Sequence, residues 1–123
     1  MCFRFKQMQN EDIAVFINEM FEILASNMNV IAPTGNSYDA DFKIWSECVV
    51  PVWREGKRLV ILIFCEDTLC GFFQYFVNYK TFRMDEIQFK KEYQGCGLFA
   101  ELYLYLTVYG INGVHTDLKK TED

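Results

Sequence analysis

The residues with the clearest chemical potential are Glu92-Tyr93-Gln94-Gly95-Cys96-Gly97. They link a strand-like stretch, Phe82 to Lys90, to a helical stretch rich in Leu and Tyr, Leu98 to Tyr109. A glycine loop between a strand and a helix start suits a diphosphate. The first N–H groups of a helix have no partner within it, and the aligned peptide dipoles favour negative charge there. Gly95 and Gly97 lack Cβ atoms, so a ligand can approach the main chain closely. Cys96 sits inside the loop. A nucleophilic role would require a base partner, and the sequence offers none to point to.

Composition narrows the other options. The chain has 123 residues, of which 51% are hydrophobic. That fits one domain with a moderate core and excludes a disordered chain. The formal net charge is −5. Nucleic-acid binding needs a basic face, so nucleic acid is not expected as the main partner. The acidic balance fits a cationic amine only weakly. The five cysteines are odd in number and form no C-x-x-C pair. They read as reduced thiols in a cytosolic protein, mostly packing groups, rather than as a disulfide framework or zinc site. The longest strongly apolar run, Leu59 to Cys65, is too short to cross a bilayer, which takes ~20 residues, and no signal peptide is visible. A cytoplasmic location is expected.

The elements that would position the loop are legible from spacing. Cys2-Phe3-Arg4-Phe5 suggests a short first strand. Asn10 suits a helix N-cap, with Glu11 and Asp12 in the first turn. Ile13, Phe16, Ile17, Met20, Phe21 and Leu24 then recur at helical spacing, so a helix is expected over Glu11–Asn27. After the loop-like residues 32–37, a second helical pattern spans Asp39–Glu55. Pro51 lies within it and should kink or interrupt it, and Gly56 should stop it.

Leu59–Cys65 is continuously apolar, as in a strand buried on both faces. Leu69–Val77 and Phe82–Lys90 follow after short turns, which makes an antiparallel meander. Phe72, Phe73, Tyr75, Phe76 and Tyr79 could line a pocket, but core positions are the favoured reading. In the last helical pattern, Phe99, Leu102, Tyr103 and Leu106 are expected to face the sheet. Val114, Thr116 and Leu118 allow one weak strand before a tail, and the lone histidine, His115, reads as a surface residue.

This order of strand, two helices, three-strand meander, glycine loop and helix resembles the GNAT N-acyltransferase superfamily. The resemblance covers Met1 to Tyr109. The family's signature is Arg or Gln, two residues, Gly, one residue, then Gly or Ala. Gly95 and Gly97 match both glycine positions, and Glu92 departs from the first. The string Glu86 to Phe99 is similar to bacterial members. The implied fold class is α+β, a mainly antiparallel sheet flanked by helices, as a single domain over residues 1–123.

The resemblance implies an acetyl-CoA-dependent transfer of an acetyl group to a primary amine. Backbone N–H groups at Gln94, Gly95, Cys96, Gly97, Leu98 and Phe99 would hold the pyrophosphate of acetyl-CoA. Ile87, Gln88 and Phe89 would bond the pantetheine arm. Glu86 lies on the strand that supplies the base, and the amine must lose its proton before it can attack. Alternation sends Glu86 and Gln88 to one face of the strand and Ile87 and Phe89 to the other. The plainer reading of Glu86 is a solvated or salt-bridged strand residue. Lys90-Lys91-Glu92 could touch the cofactor's phosphates or form a solvated turn.

The resemblance also fails in one region. Family domains usually continue with another strand, a helix and a hairpin, and the later helix often carries a Tyr acid. Only residues 110–123 follow the last helical pattern, and no residue can be matched to that acid. Tyr103, Tyr105 and Tyr109 fall on the wrong helix for it. The alternative expectation is therefore a shortened GNAT-like domain without catalysis, acting as a binding or dimerisation module. An open edge at the Phe82–Lys90 strand would favour a homodimer. A thiol enzyme built on Cys96 is the remaining, least favoured class. The acceptor is not named by the sequence.

Overall fold

The computed structural model describes residues 3–31, 34–79 and 81–107. Cys2, His115 and the weak strand expected at Val114–Leu118 lie outside the described residues. In chain order the elements are β1 (Phe3–Gln7), α1 (Asn10–Ile31), α2 (Tyr38–Arg54), β2 (Leu59–Cys65), β3 (Thr68–Asn78), β4 (Thr81–Phe89), a single 3₁₀ turn (Lys91–Tyr93) and α3 (Leu98–Tyr105). The strands form one antiparallel sheet in the order β1-β2-β3-β4. Among the described residues β4 is therefore an edge, and the glycine loop leaves from its end.

The sheet is buried on both faces, which explains the unbroken apolar run of β2. Val60, Leu62 and Phe64 pack with Leu69 and Phe72 against Ile13, Met20 and Ile23 of α1 and Trp53 of α2. Ile61 and Ile63 point the other way, with Phe3, Cys70, Phe73 and Tyr75, against Leu98, Leu102 and Leu106. Phe72 and Phe73 are each only 1% exposed. Burying a side chain of that size stabilises a fold by roughly 1.5–3 kcal/mol. Of the aromatic run in and after β3, Phe72, Phe73 and Tyr75 are core. Phe76 is half-buried, and Tyr79 stands in solvent at a turn with φ 52°.

Three local expectations are corrected. Asn10 is not the cap of α1 but its first helical residue. The Asp12 carboxylate instead accepts from the backbone N–H of Gln9 at 2.8 Å, and the Asp12 N–H donates to the Gln9 carbonyl. A carboxylate reaching back to the residue three before it is half of a capping box. Pro51 does not interrupt α2, which runs on to Arg54. Proline removes the bond to the carbonyl four residues earlier and crowds that carbonyl with its ring. Here it sits in the last turn, where little helix remains to be broken. The end itself is set by Gly56 at φ 75°, with Gly56 N–H bonded to Trp53 O and Lys57 N–H to Val52 O. These two bonds are those of a Schellman cap. Finally, Phe99 does not face the sheet. It is 53% exposed, and the buried stripe of α3 is Leu98, Leu102 and Leu106, at intervals of one helical turn.

Candidate active site

The site is organised by an irregularity in β4. Gln74 pairs with Glu86, but the next residue of β3, Tyr75, pairs with Met84. Asp85 is therefore an extra residue on β4, a β-bulge. Such a bulge reverses the parity of the strand. Phe82 and Met84 point toward the α3 layer before it, and Ile87 and Phe89 do so after it. Glu86 and Gln88 consequently face the α1–α2 layer.

The bulge is held from below by side chains. Buried Trp53 donates its indole N–H to the side-chain carbonyl of Gln74. The Gln74 amide donates to Asp85 Oδ2 at 3.1 Å, and Arg58 Nε donates to the same oxygen at 3.2 Å. A second chain runs alongside. Asn27 of α1 donates to Gln88 Oε1 at 2.9 Å, and Gln88 Nε2 donates to Glu86 Oε2 at 3.0 Å. Burial pushes the Glu86 carboxyl above the ordinary carboxylate value, the Gln88 hydrogen bond pulls it down, and the neighbouring Asp85 charge pushes it up, for a net rise. A carboxyl with that bias suits proton transfer near neutral pH better than a free one does.

The outer side of β4 is backbone. Lys90 N–H bonds Cys70 O across the ladder at 2.8 Å. The alternation of an antiparallel ladder then turns the N–H and C=O groups of Phe89 and Ile87 toward the open edge. The Phe89 carbonyl is already occupied by Asn27 Nδ2 at 3.0 Å and Gln94 Nε2 at 3.2 Å. That leaves the Ile87 carbonyl and both N–H groups for an extended ligand.

Gly95 has φ 81° and Gly97 φ 85°, both in the left-handed region, and Gly97 caps α3 without a side-chain bond. A Cβ built on either glycine meets nothing within 4 Å. These glycines therefore serve backbone shape and leave open space above the loop. Glu101 N–H makes the first ladder bond of α3, to Gly97 O at 3.2 Å. The N–H groups of Leu98, Phe99 and Ala100 precede it and have no intrahelical partner. Cys96 Sγ donates to the Tyr93 carbonyl at 2.8 Å, which ties the turn together. Lys90 and Lys91 line a shallow cleft of about 260 Å³ with Glu22, Ser26 and Glu92. The loop, the open edge and Glu86 thus converge on β4. These features fit a ligand with an extended polar arm and a diphosphate.

Sequence reasoning missed Asn27, Gln74 and Asp85. Asn27 ends the apolar pattern of α1 and gave no signal. The bulge did leave one: apolar residues on one face alternate as Phe82 and Met84, then Ile87 and Phe89, with a step of three in the middle.

No family model matches the sequence, and no curated protein matches it in sequence. Solved structures do match the fold. The PaiA N-acetyltransferase from Thermoplasma acidophilum, in complex with coenzyme A, is similar over 99% of this chain and 75% of its own, at TM-score 0.62 and 17% identity. An acetyltransferase from Thermus thermophilus is similar over 93% and 72%, at TM-score 0.64 and 14% identity. The ribosomal-protein-alanine N-acetyltransferase from Brucella melitensis biovar Abortus is similar over 85% and 69%, at TM-score 0.58 and 14% identity. Among the described residues no helix is long and apolar enough to cross a membrane. The sheet order, the glycine loop and these likenesses together give the chain the fold of the GNAT acetyltransferases.

Proposed function

We propose that this protein is an acetyl-CoA-dependent N-acetyltransferase acting on a primary amine. The observation that carries the reading is the convergence on β4. The positive-φ glycines and unpaired N–H groups of α3 follow directly from an open strand edge, and Glu86 stands on that same strand. Structural neighbours of the same fold add support, one of them in complex with coenzyme A.

In this reading, N–H groups from Gly95 to Phe99 receive the diphosphate, the expected Gln94 N–H being already bonded to Lys91 O at 3.2 Å, and the open edge at Ile87 and Phe89 receives the pantetheine arm. Glu86 takes the proton of the ammonium, directly or through water. The freed nitrogen adds to the thioester carbonyl carbon. The C–S bond breaks, and the thiolate leaves and takes up the proton that the nitrogen sheds. Holding both reactants on one strand supplies the proximity that such a transfer needs.

A second reading keeps the edge but drops the chemistry: a binding or dimerisation module. Met84, Phe99 and Leu104 favour it, being 54%, 53% and 60% exposed around β4 and α3.

Calorimetric titration with acetyl-CoA separates the two. The transferase reading expects micromolar binding that Gly97→Glu abolishes, through bulk and repulsion of the diphosphate. A well-folded wild-type protein that takes up no acetyl-CoA would overturn it in favour of the module.

A further inference from the structure

A cleft of about 360 Å³ lies on the α2 side of the bulge, away from the glycine loop. Its walls include Val49 and Val52 of α2, Lys57 and Arg58 just before β2, Gln74 of β3 and Asp85 of β4. We propose that this cleft binds the acceptor, and that the acceptor is an amine that also carries a carboxylate and an apolar side chain, in the manner of an α-amino acid. The proposal rests on the N-acetyltransferase reading and names its acceptor class.

The anchor is Arg58. Its guanidinium carbon lies 4.1 Å from the centroid of the Phe76 ring. Its Nε donates to Asp85 and its Nη1 to the Lys57 carbonyl, each at 3.2 Å. A guanidinium has five N–H donors in a rigid plane. These two contacts and the ring fix the plane and leave donors over for a carboxylate. The ordering cost of a long side chain is therefore met before any ligand arrives.

Both cations of the cleft already have an acidic partner: Lys57 Nζ lies 2.9 Å from Glu55 Oε2, and Arg58 Nε lies 3.2 Å from Asp85 Oδ2. The pull on a carboxylate therefore comes from the spare N–H donors of Arg58 rather than from net charge. Val49 and Val52, with neighbouring Cys48, offer an apolar wall for a hydrocarbon side chain.

The cleft also has the right relation to the proposed base. Asp85 lines it and is followed directly in the chain by Glu86. Gln74 lines it too and is the cross-strand partner of Glu86. A carboxylate held on Arg58 leaves the amine of the same small molecule free to reach along β4 toward Glu86.

The test compares L-leucine with 3-methylbutylamine, the same hydrocarbon amine without the carboxylate. Each is titrated into the protein, with and without saturating coenzyme A, and followed by two-dimensional amide NMR. Leucine is expected to bind at least about tenfold tighter, since a charge-assisted contact to a preset guanidinium reaches that size. The shifts should centre on Arg58, Val52 and Asp85. Arg58→Gln should remove the preference, Arg58→Lys should keep part of it, and coenzyme A affinity should be unchanged in both. Equal binding of the two ligands, tighter binding of the amine, or binding of neither would overturn the proposal. If Arg58→Gln fails to fold by thermal melting, the wild-type comparison decides alone. Acetyl transfer is read separately, as thiol release from acetyl-CoA across a panel of amines. Transfer without a carboxylate preference would sink this inference and leave the transferase reading standing.

Discussion

Gly71 and Phe89 stand opposite each other on β3 and β4, and the Phe89 ring occupies the space where a side chain at position 71 would go. A Cβ on Gly71 would lie 2.5 Å from the Gln88 carbonyl oxygen and 2.8 Å from Phe89 Cδ1. The first of these is a backbone atom of the strand that carries the candidate site. β4 can approach β3 this closely only because residue 71 is glycine. Gly71→Ala should therefore push Gln88 and Phe89 outward and cost about 1–3 kcal/mol, the usual penalty for overpacking. Urea unfolding checks the stability. The acetyl-CoA affinity of the folded fraction should fall as well, because the moved residues are those proposed to meet the pantetheine arm.

The loop glycines differ from Gly71 in kind. At Gly97 the obstacle is φ 85°, not space, since an added Cβ has no neighbour within 4 Å. Gly97→Ala should cost about 1–2 kcal/mol through backbone strain alone. Gly97→Glu carries the same strain plus a negative charge over the N–H groups of α3. If the two variants lose acetyl-CoA affinity equally, loop shape matters and charge does not. The diphosphate assignment expects Gly97→Glu to be worse by at least about tenfold.

Much of this was legible in the sequence because the strongest signals are local. β2 is short, continuously apolar and rich in β-branched residues, which favours a buried strand, and its boundaries agree with the structure. The glycine pair sits between a strand and a helix, as its spacing implies. What escaped depended on tertiary contacts. Asn10 has the better N-cap side chain, yet Asp12 is bonded by Lys6 Nζ at 2.7 Å and by Gln9 N–H, and β1 thereby fixes where α1 starts. Phe99 is more apolar than its exposed position requires, and only the docking angle of α3 decides between Leu98 and Phe99 as the buried residue. The bulge at Asp85 reflects a buried Trp53–Gln74 contact made by residues distant in sequence.

The Asp12 contacts predict an acid sensitivity. Burial raises its carboxyl pKa, but the hydrogen bonds from Lys6 and Gln9 outweigh that, and the net shift is downward. A depressed folded value means stability that is present above the ordinary carboxylate value and lost as pH falls through the folded one. Asp12→Asn should cost about 1 kcal/mol at pH 7, because the amide keeps an oxygen for Gln9 N–H but loses the ion pair with Lys6. The gap between variant and wild type should narrow in acid. Urea midpoints at pH 7 and pH 3 read both numbers.

Self-association is a further expectation. β4 is an edge among the described residues, and Met84 and Phe99 are exposed beside it. An open edge of this kind invites pairing with a second copy. We expect a dimer at micromolar concentration in sedimentation velocity, shifted toward monomer by acetyl-CoA, which would use the same edge. Monomer alone across that range would rule the dimer out.

Glu86 yields the sharpest pH test, because its two neighbours act in opposite directions. As a base it works ionised, so the acid limb of kcat/KM should lie above the ordinary carboxylate value of about 4.3. Gln88→Leu removes the hydrogen bond that stabilises the ionised form, so the limb should move to higher pH. Asp85→Asn removes the neighbouring negative charge, so the limb should move to lower pH. Glu86→Gln should abolish the limb and lower kcat by about 10²–10⁴-fold, the range for loss of a general base. Stability carries the opposite sign from that of Asp12. The folded value is raised, so the folded state binds more protons than the unfolded one between the two values, and ionising Glu86 destabilises the fold as pH rises through that window. Glu86→Gln should then be slightly more stable than wild type at pH 7 while much less active. A structural salt-bridge or solvated role for Glu86 predicts neither that combination nor the opposed shifts of the two neighbours.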